Sequence, residues 1–427
     1  MEPYIWQRPS VDKTVIALQT GPVVINASDT GTGKTVVACA SIKRLSVNFI
    51  VVAPIVVHSA WARTIELMGI SDRCLGIVNP QRLLYKNKWY NSKKKVWGVP
   101  KNAHIIWDEV HHGASGPTSQ TTTALALTKA YNIPVMAMSA TIADSPLKLR
   151  ALGYLLGLHD FKLPSFKEWI YNNGCYYDKR FMQDRFMSGP SGQSYMRAIH
   201  ATIESRLVRI SIAELDDFPD SKLVANLYDL TDKYTKEINK IYEEMDEAIK
   251  SVPKSELAAR TRARQQVELM KVPLLRDLAL EELEAGKSPV LFVTYRDTAS
   301  RLKREIESKG HETGLIIGAQ TKAEKAAREE YKRRFQTNKI HCMVCTMAGG
   351  VGIDLHDELK QRPRSSFITP SDNAVHMVQC IGRIRRSGGT DVIQTFVMIA
   401  GTIEERIHAN LTNKLKNISS LNDGDLI

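Results

Sequence analysis

The sequence predicts an α/β protein of two parallel-sheet lobes, each covered by helices, with a mainly helical segment between them. Three observations carry the prediction. Short β-branched apolar runs, stopped by turn or polar residues, recur in two stretches of the chain, separated by amphipathic segments. The stretch between those two, roughly 145–285, is poor in strand signals. The 427 residues allow two or three domains, each large enough to bury a core.

In the first lobe the apolar runs are PVVIN (22–26), NFIVVAP (48–54), AHIIWDE (103–109) and PVMAMSAT (134–141). Each is short and nearly continuous, as a strand covered on both faces must be. The amphipathic pattern over 34–45 predicts a helix between the first two, so the order is strand, helix, strand. In the middle, 231–250 predicts a charged amphipathic helix. Residues 255–285 predict another, with Arg260, Arg262 and Arg264 clustered on it. MSGPSGQS (187–194) reads as a Gly/Ser/Pro loop, and LDDFPDSK (215–222) as a domain boundary. The strand rhythm returns in SPVLFVTY (288–295), ETGLIIG (312–318), IHCMVCT (340–346), SSFITP (365–370) and IQTFVMIA (393–400). The expected organisation is a first lobe over 1–215 with a helical extension at 145–215, a helical linker over 216–285, and a second lobe over 286–427. The last residues, SSLNDGDLI, are polar and expected to fray.

Lys and Arg exceed Asp and Glu by 58 to 46, and the sequence pI is about 9.3. That balance favours a polyanionic partner and says nothing about fold. The six cysteines are sparse and lie mostly in apolar stretches, which suits buried thiols in a reducing compartment. Cys342 and Cys345 have C-x-x-C spacing but read as part of a buried strand, with no second pair at ligand spacing. His104, His111 and His112 do not form a metal set. The N-terminus MEPYIWQRPS lacks the charged and apolar regions of a signal peptide, and no apolar run approaches a membrane span. The expected location is cytoplasmic, in a bacterium or a phage-infected cell, with no membrane partner.

Two motifs carry chemistry. ASDTGTGKT (27–35) joins a strand to a helix. Its glycines let the backbone N–H groups of Thr30, Gly31, Thr32 and Gly33 point at phosphate oxygens, and the helix N-terminus adds a favourable dipole. Lys34 is placed to reach the terminal phosphates of ATP and Thr35 to hold Mg²⁺. Ser28 stands where the general phosphate-loop pattern has a first glycine. The second motif, IIWDEVHH (105–112), delivers Asp108 and Glu109 at the carboxyl end of a strand, where ligands bind in parallel sheets. Asp108 can hold Mg²⁺ through water, and Glu109 can orient and deprotonate an attacking water.

These residues, with those downstream, resemble helicase superfamily 2. The loop is similar to its A-x-x-G-x-G-K-T form, which does not require the missing glycine. DEVH resembles a DExH box, and MSATI (138–142) the Ser-Ala-Thr motif that couples nucleotide to the nucleic-acid groove. VVAPIVVHSAW (51–61) resembles motif Ia, with Pro54 and His58 toward nucleic acid, and YIWQRPSV resembles the Q motif, which sets Gln7 against adenine. LFVTYRD (291–297) resembles motif IV, with Thr294 and Tyr295 as contacts. CTMAGGVGIDL (345–355) resembles motif V: Thr346, Gly349 and Gly350 toward nucleic acid, Gly352 and Asp354 toward nucleotide. QCIGRIRR (379–386) resembles motif VI, in which Arg383 and Arg386 look like arginine fingers that stabilise charge on the γ-phosphate. The resemblance implies two RecA-like lobes with ATP and Mg²⁺ as cofactors.

Within the superfamily the chain looks most like the Swi/Snf-like ATPases of a minimal phage or bacterial type. That likeness rests on ESRLVRISIAELDDFPDSK, LYDLTDKYTKEINKIYEEM, AREEYKRRFQTNKIHCMVCTMAGGVGIDL and VIQTFVMIAGTIEERI. Ser-Ala-Thr replaces the usual Gly-Thr, and motif VI reads Arg-Ile-Arg-Arg-Ser-Gly-Gly. A further segment, LYKNKWYNSKKKVW (84–97), mixes lysines, among them Lys93, Lys94 and Lys95, with Tyr85, Trp89, Tyr90 and Trp97. It suits either backbone contact with base stacking or a solvated loop over packed aromatics. The expected function is an ATP-driven, monomeric motor on duplex or branched DNA that remodels forks or junctions, alone or recruited by another protein. RNA is a possible partner. The alternatives are a strand-separating DNA or RNA helicase, and a nucleic-acid-binding protein with an inactive ATP site.

Overall fold

The computed structural model describes residues 1–427 apart from 86, 112–118, 180–181, 216–217, 252–255, 319–320, 350–352, 372–373, 387–388, 403, 406–411, 414–415 and 418–427. Its contacts divide the chain into two compact units, Met1–Glu214 with Asn413–Ile427, and Leu215–Thr412. The frayed end expected over 419–427 lies outside the described residues.

In the first unit six strands form one parallel sheet, in the order Leu207–Val208, Val23–Asn26, Val135–Met138, Ala103–Asp108, Asn48–Val52, Cys74–Val78. The four expected runs fill its centre. They are nearly continuously apolar because both faces of the sheet are covered: Val24, Ile25, Ile50, Ile105 and Trp107 are fully buried. The second unit repeats the design. Its parallel sheet runs Ser221–Tyr228, Val392–Ile399, Arg364–Ile368, Ser288–Val293, Cys342–Thr346, Thr313–Ile316. Cys342 and Cys345 lie in a strand there and are fully buried, and burial pushes the Cys342 thiol up to about 12. Among the described residues, no helix is long and apolar enough to cross a membrane.

Residues 216–285, expected as a helical linker, are not wholly helical. Ser221–Tyr228 is an edge strand of the second sheet, with Lys222 beside Ile393. None of its eight residues is fully buried, so it lacks the continuous apolar run that betrays a central strand. The single helix expected over 255–285 is two, Glu256–Met270 and Val272–Glu284, the second with proline in its first turn. Val272, Leu275 and Ala279 of the second pack into the same core as Leu291 and Val293. The loop expected at 187–194 is mostly helix, because Gly189–Ile203 also begins with proline in its first turn, where the missing N–H costs nothing.

Candidate active site

The first strand of the first sheet ends at Asn26, and the chain turns through the loop into the Lys34–Leu45 helix. Gly31 and Gly33 take φ of 93° and 75°, a left-handed backbone that side chains rarely adopt. A Cβ on Gly33 would collide with the Gln7 amide. Gln7 is buried: its Nε2 donates to the Thr32 carbonyl at 2.9 Å, and its Oε1 accepts from the Tyr4 N–H at 2.9 Å. Gln7, expected against adenine, here braces the loop. Lys34 Nζ donates to the carbonyls of Ser28 at 3.0 Å and Asp29 at 3.2 Å, back across its own loop. Thr30 and Thr35 are half-buried beside it.

Several residues that hold this loop have no signature in the motif itself. Ser28, the departure from glycine, is fully buried, and its Oγ accepts from the Ile210 N–H at 3.0 Å. A glycine there would leave that N–H unpaired. Arg209 Nη1 donates to the Ala27 carbonyl at 2.9 Å and to Asp29 Oδ1 at 2.6 Å, while Asp29 Oδ2 accepts from the Ile212 N–H at 2.9 Å. These partners lie some 180 residues downstream, so only the folded chain reveals them.

Asp108 closes the Ala103–Asp108 strand two strands away from the loop's own. Its Oδ2 accepts from the buried Trp61 indole at 2.8 Å, and its Oδ1 from the Glu109 N–H at 3.0 Å. Burial, and then the neighbouring Glu109 carboxylate, push the Asp108 carboxyl from 3.8 up to about 6. Such a carboxylate fits a divalent cation, whose charge would restore its ionised form. Glu109 has φ of 49°, an uncommon conformation for a residue with a side chain, costing about 1–3 kcal/mol. It turns the side chain toward Ser139 of the Ser-Ala-Thr segment, whose Oγ lies 3.2 Å from Glu109 Oε2 and 2.6 Å from His111 Nδ1. The Thr141 N–H donates to the same oxygen at 3.0 Å. His111 lies 3.4 Å from Glu109 Oε2, so the acidic pair and the Ser-Ala-Thr segment share one buried polar network. A buried tryptophan needs an acceptor for its indole N–H, and that was the one sequence signal for Trp61.

In the second unit, Arg386 Nε donates to Asp354 Oδ1 at 2.8 Å, and its Nη2 lies 2.6 Å from the same oxygen. Burial pushes the Asp354 carboxyl up, but Arg386 and Arg383 outweigh it and hold it down at about 2. Arg383 is buried, with Nη1 donating to the Ile353 carbonyl at 3.3 Å, while its own carbonyl accepts from the Leu355 N–H at 2.8 Å. The structure therefore joins the motif V and motif VI segments. Gly352 and Gly350 lie outside the described residues.

The residues expected to touch nucleic acid are placed as follows. Pro54 precedes the short turn into the His58–Leu67 helix, and His58 Nε2 lies 2.9 Å from the Ala53 carbonyl. The backbone N–H groups of Thr294 and Tyr295 donate to Glu268 at 2.8 and 3.0 Å, and Thr369 Oγ1 donates to it at 2.9 Å. Glu268, a buried acid missed by motif reading, thus fixes that loop. Thr346 ends its strand, and its Oγ1 accepts from the Gly349 N–H at 3.1 Å. Lys93, Lys94 and Lys95 are exposed between two short strands, Tyr90–Asn91 and Val96–Trp97. Of the two readings of this segment, the structure supports packed aromatics below a solvated loop. Tyr90 and Trp97 are buried and packed on each other, Trp97 donates to the Ala124 carbonyl at 2.9 Å, and Trp89 lies on Gly76. Tyr90 and Trp97 are core, Trp89 is half-buried against it, and Tyr85 is exposed.

Two parallel-sheet lobes, one with a phosphate-loop turn beside an acidic strand end, define a two-lobed α/β ATPase of RecA-like architecture. A model of the helicase conserved C-terminal domain matches residues 270–388. The chain is 31% identical over 444 aligned residues to L364 of Acanthamoeba polyphaga mimivirus, a protein named as an ATP-dependent RNA helicase. That alignment covers 95% of this chain and 80% of the relative. The chain belongs to the superfamily 2 helicases, which are nucleic-acid-dependent ATPases. Among solved structures it is similar to the Sulfolobus solfataricus SWI2/SNF2 ATPase core in complex with dsDNA, with 19% identity, TM-score 0.39, and coverage of 96% of this chain and 92% of that one. The same core without DNA matches with 18% identity and TM-score 0.38, covering 96% and 90%.

Proposed function

We propose that this chain is a Swi/Snf-like motor that couples ATP hydrolysis to movement along duplex or branched DNA. The observation that carries the ATPase half is the placement of Lys34, Asp108 and Glu109 just beyond the carboxyl ends of two central strands of one sheet, with Glu109 tied to the Ser-Ala-Thr segment through Ser139. Lys34 releases its loop carbonyls to bind terminal phosphate oxygens. Thr35 and Asp108 are the residues to hold Mg²⁺, which when bound neutralises phosphate charge. Glu109 orients a water and takes its proton. Arg383 and Arg386 are the cations of the second unit suited to phosphate, and Asp354 holds Arg386. Net positive charge and the resemblance to Swi/Snf-like segments support DNA as the track. Binding through phosphates is largely independent of sequence and weakens with salt.

A second reading, a strand-separating helicase on RNA or DNA, is supported by the name of the mimivirus relative. ATPase rate at low salt with no nucleic acid, single-stranded DNA, duplex DNA, a four-way junction and RNA decides between them. Strong stimulation by duplex or junction DNA is the expected result. Stimulation chiefly by single strands or RNA would replace it with the second reading. No turnover with any of them would sink both.

A further inference from the structure

At the amino ends of the strands of the second sheet lies a cavity of about 810 Å³ that no motif absorbs. The segments of motifs IV and V leave from the carboxyl ends, after Val293 and Thr346, so the cavity belongs to the other edge of the sheet. Lys222, Ile393 and Ser365 are register neighbours on three adjacent strands and line it. Register neighbours in a parallel sheet project from one face, so a cation, an apolar side chain and a hydroxyl stand in one row there. Phe218 and Pro363 add apolar wall, and Lys287 and Lys360 add positive charge. The volume is that of a site for a small organic molecule, well beyond the needs of a water or a lone ion.

The walls are held in place. Lys360 has φ of 53°, uncommon for a residue with a side chain, and its loop is pinned by the fully buried Asp357. That carboxylate accepts from the N–H groups of Leu359, Gln361 and Arg362 at 3.1, 2.7 and 2.5 Å. Asp391 Oδ1 accepts from the Asp220 N–H at 2.8 Å, and the Pro219 carbonyl accepts from Arg385 Nε at 2.7 Å. Inside this frame two hydroxyls are left over. Ser365 is 3% exposed, and neither its Oγ nor the Oγ1 of Thr390, which also lines the cavity, has a hydrogen-bond partner. A buried hydroxyl without a partner calls for one from outside the chain. Lys222 and Lys360 are exposed at the rim, and among the described residues no acid pairs with either, while Lys287 lies 3.1 Å from Glu282.

We propose that this cavity binds a nucleoside phosphate, separately from the ATP site assigned to Lys34. Lys222 and Lys360 hold the phosphate, and the Ser365 and Thr390 hydroxyls donate to it. The flat apolar part of the ligand lies against Phe218, Pro363 and Ile393. The carboxylates of Asp220 and Asp391, on the same rim, accept from hydroxyl or amino groups, which a nucleoside carries and inorganic phosphate lacks. The site goes beyond the motor reading and uses none of its residues.

The test is equilibrium dialysis of radiolabelled ADP with wild-type protein, a Lys222→Ala, Lys360→Ala variant, Ser365→Ala and Lys34→Ala. Wild type is expected to bind two ADP per chain, one of them displaced by AMP. The double lysine variant should bind that one about a hundredfold more weakly, about tenfold for each charge-assisted bond, and keep its stimulated ATPase. Lys34→Ala should weaken the other site and keep this one. Ser365→Ala should weaken the cavity site about fivefold without lowering the Tm of the ligand-free protein, because the hydroxyl it removes has no partner. One ADP per chain in wild type, or unchanged affinity in the lysine variant, would overturn the proposal. Displacement by duplex DNA and not by AMP would also overturn it and make the cavity a contact for nucleic-acid backbone. Two ADP sites with no stimulated ATPase would instead undo the motor reading and leave this site standing.

Discussion

Lys34 in the first unit and Arg386 in the second are both cations assigned to ATP phosphates, and the protein holds them by different means. Lys34 donates to two neutral loop carbonyls at 3.0 and 3.2 Å. Arg386 donates to the Asp354 carboxylate, which Arg386 and Arg383 keep ionised down to about pH 2. Both sets of bonds have an ionised donor, but a carbonyl carries only a partial charge, so Lys34 exchanges its partners for phosphate at less cost than Arg386 gives up a full carboxylate. On the proposed mechanism, the difference means that Lys34 gives up only carbonyls to bind, while Arg386 must surrender an ion pair.

That contrast predicts a split between binding and turnover. Lys34→Ala removes the phosphate contact itself and should abolish hydrolysis and weaken ATP binding; retained turnover would refute the site. Arg386→Ala should slow turnover by about a thousandfold, the lower range for an arginine finger, while a fluorescent ATP analogue still binds. Equal loss of binding in both variants would erase the distinction between the halves.

Arg209→Ala tests whether the first half is pre-organised by its distant partners. It removes the bonds to Ala27 and Asp29, and the KM for ATP should rise about fivefold with kcat nearly kept, as for loss of about 1 kcal/mol at a partly exposed site. An unchanged KM would show that the loop holds its shape unaided.

The smallest effect concerns stability. Folding raises the Asp108 carboxyl from 3.8 to about 6, so the folded state disfavours its ionised form. That penalty is absent below about pH 4, grows through the interval, and is complete above about pH 6. Asp108→Asn should therefore raise the Tm of the nucleotide-free protein at pH 8 and not at pH 4. The same shift at both pH values would assign the effect to packing.

Most of the central strands were legible because a strand buried on both faces must be apolar throughout. Lys34, Asp108 and Glu109 stood out because a glycine loop that opens a helix and an acidic pair at a strand end are patterns local in the chain. Ser221–Tyr228 was not, since a half-solvated edge strand carries no continuous apolar run. Trp89, Tyr90 and Trp97, interleaved with lysines, suited stacking and packing equally, and only the fold showed Tyr90 and Trp97 as core with Trp89 half-buried against it.

What the sequence determined by itself was the chemistry that is local in the chain: the glycine turn, the lysine after it, the acidic strand end and the two basic side chains of motif VI. Only the tertiary structure decided what braces and restrains them. Trp61 on Asp108, Arg209 on the loop, Ser139 between Glu109 and His111, Glu268 under Thr294 and Tyr295, and Asp354 on Arg386 are contacts between segments distant in sequence. A hydrogen bond depends on distance and angle, and those exist only once the sheets have brought the segments together.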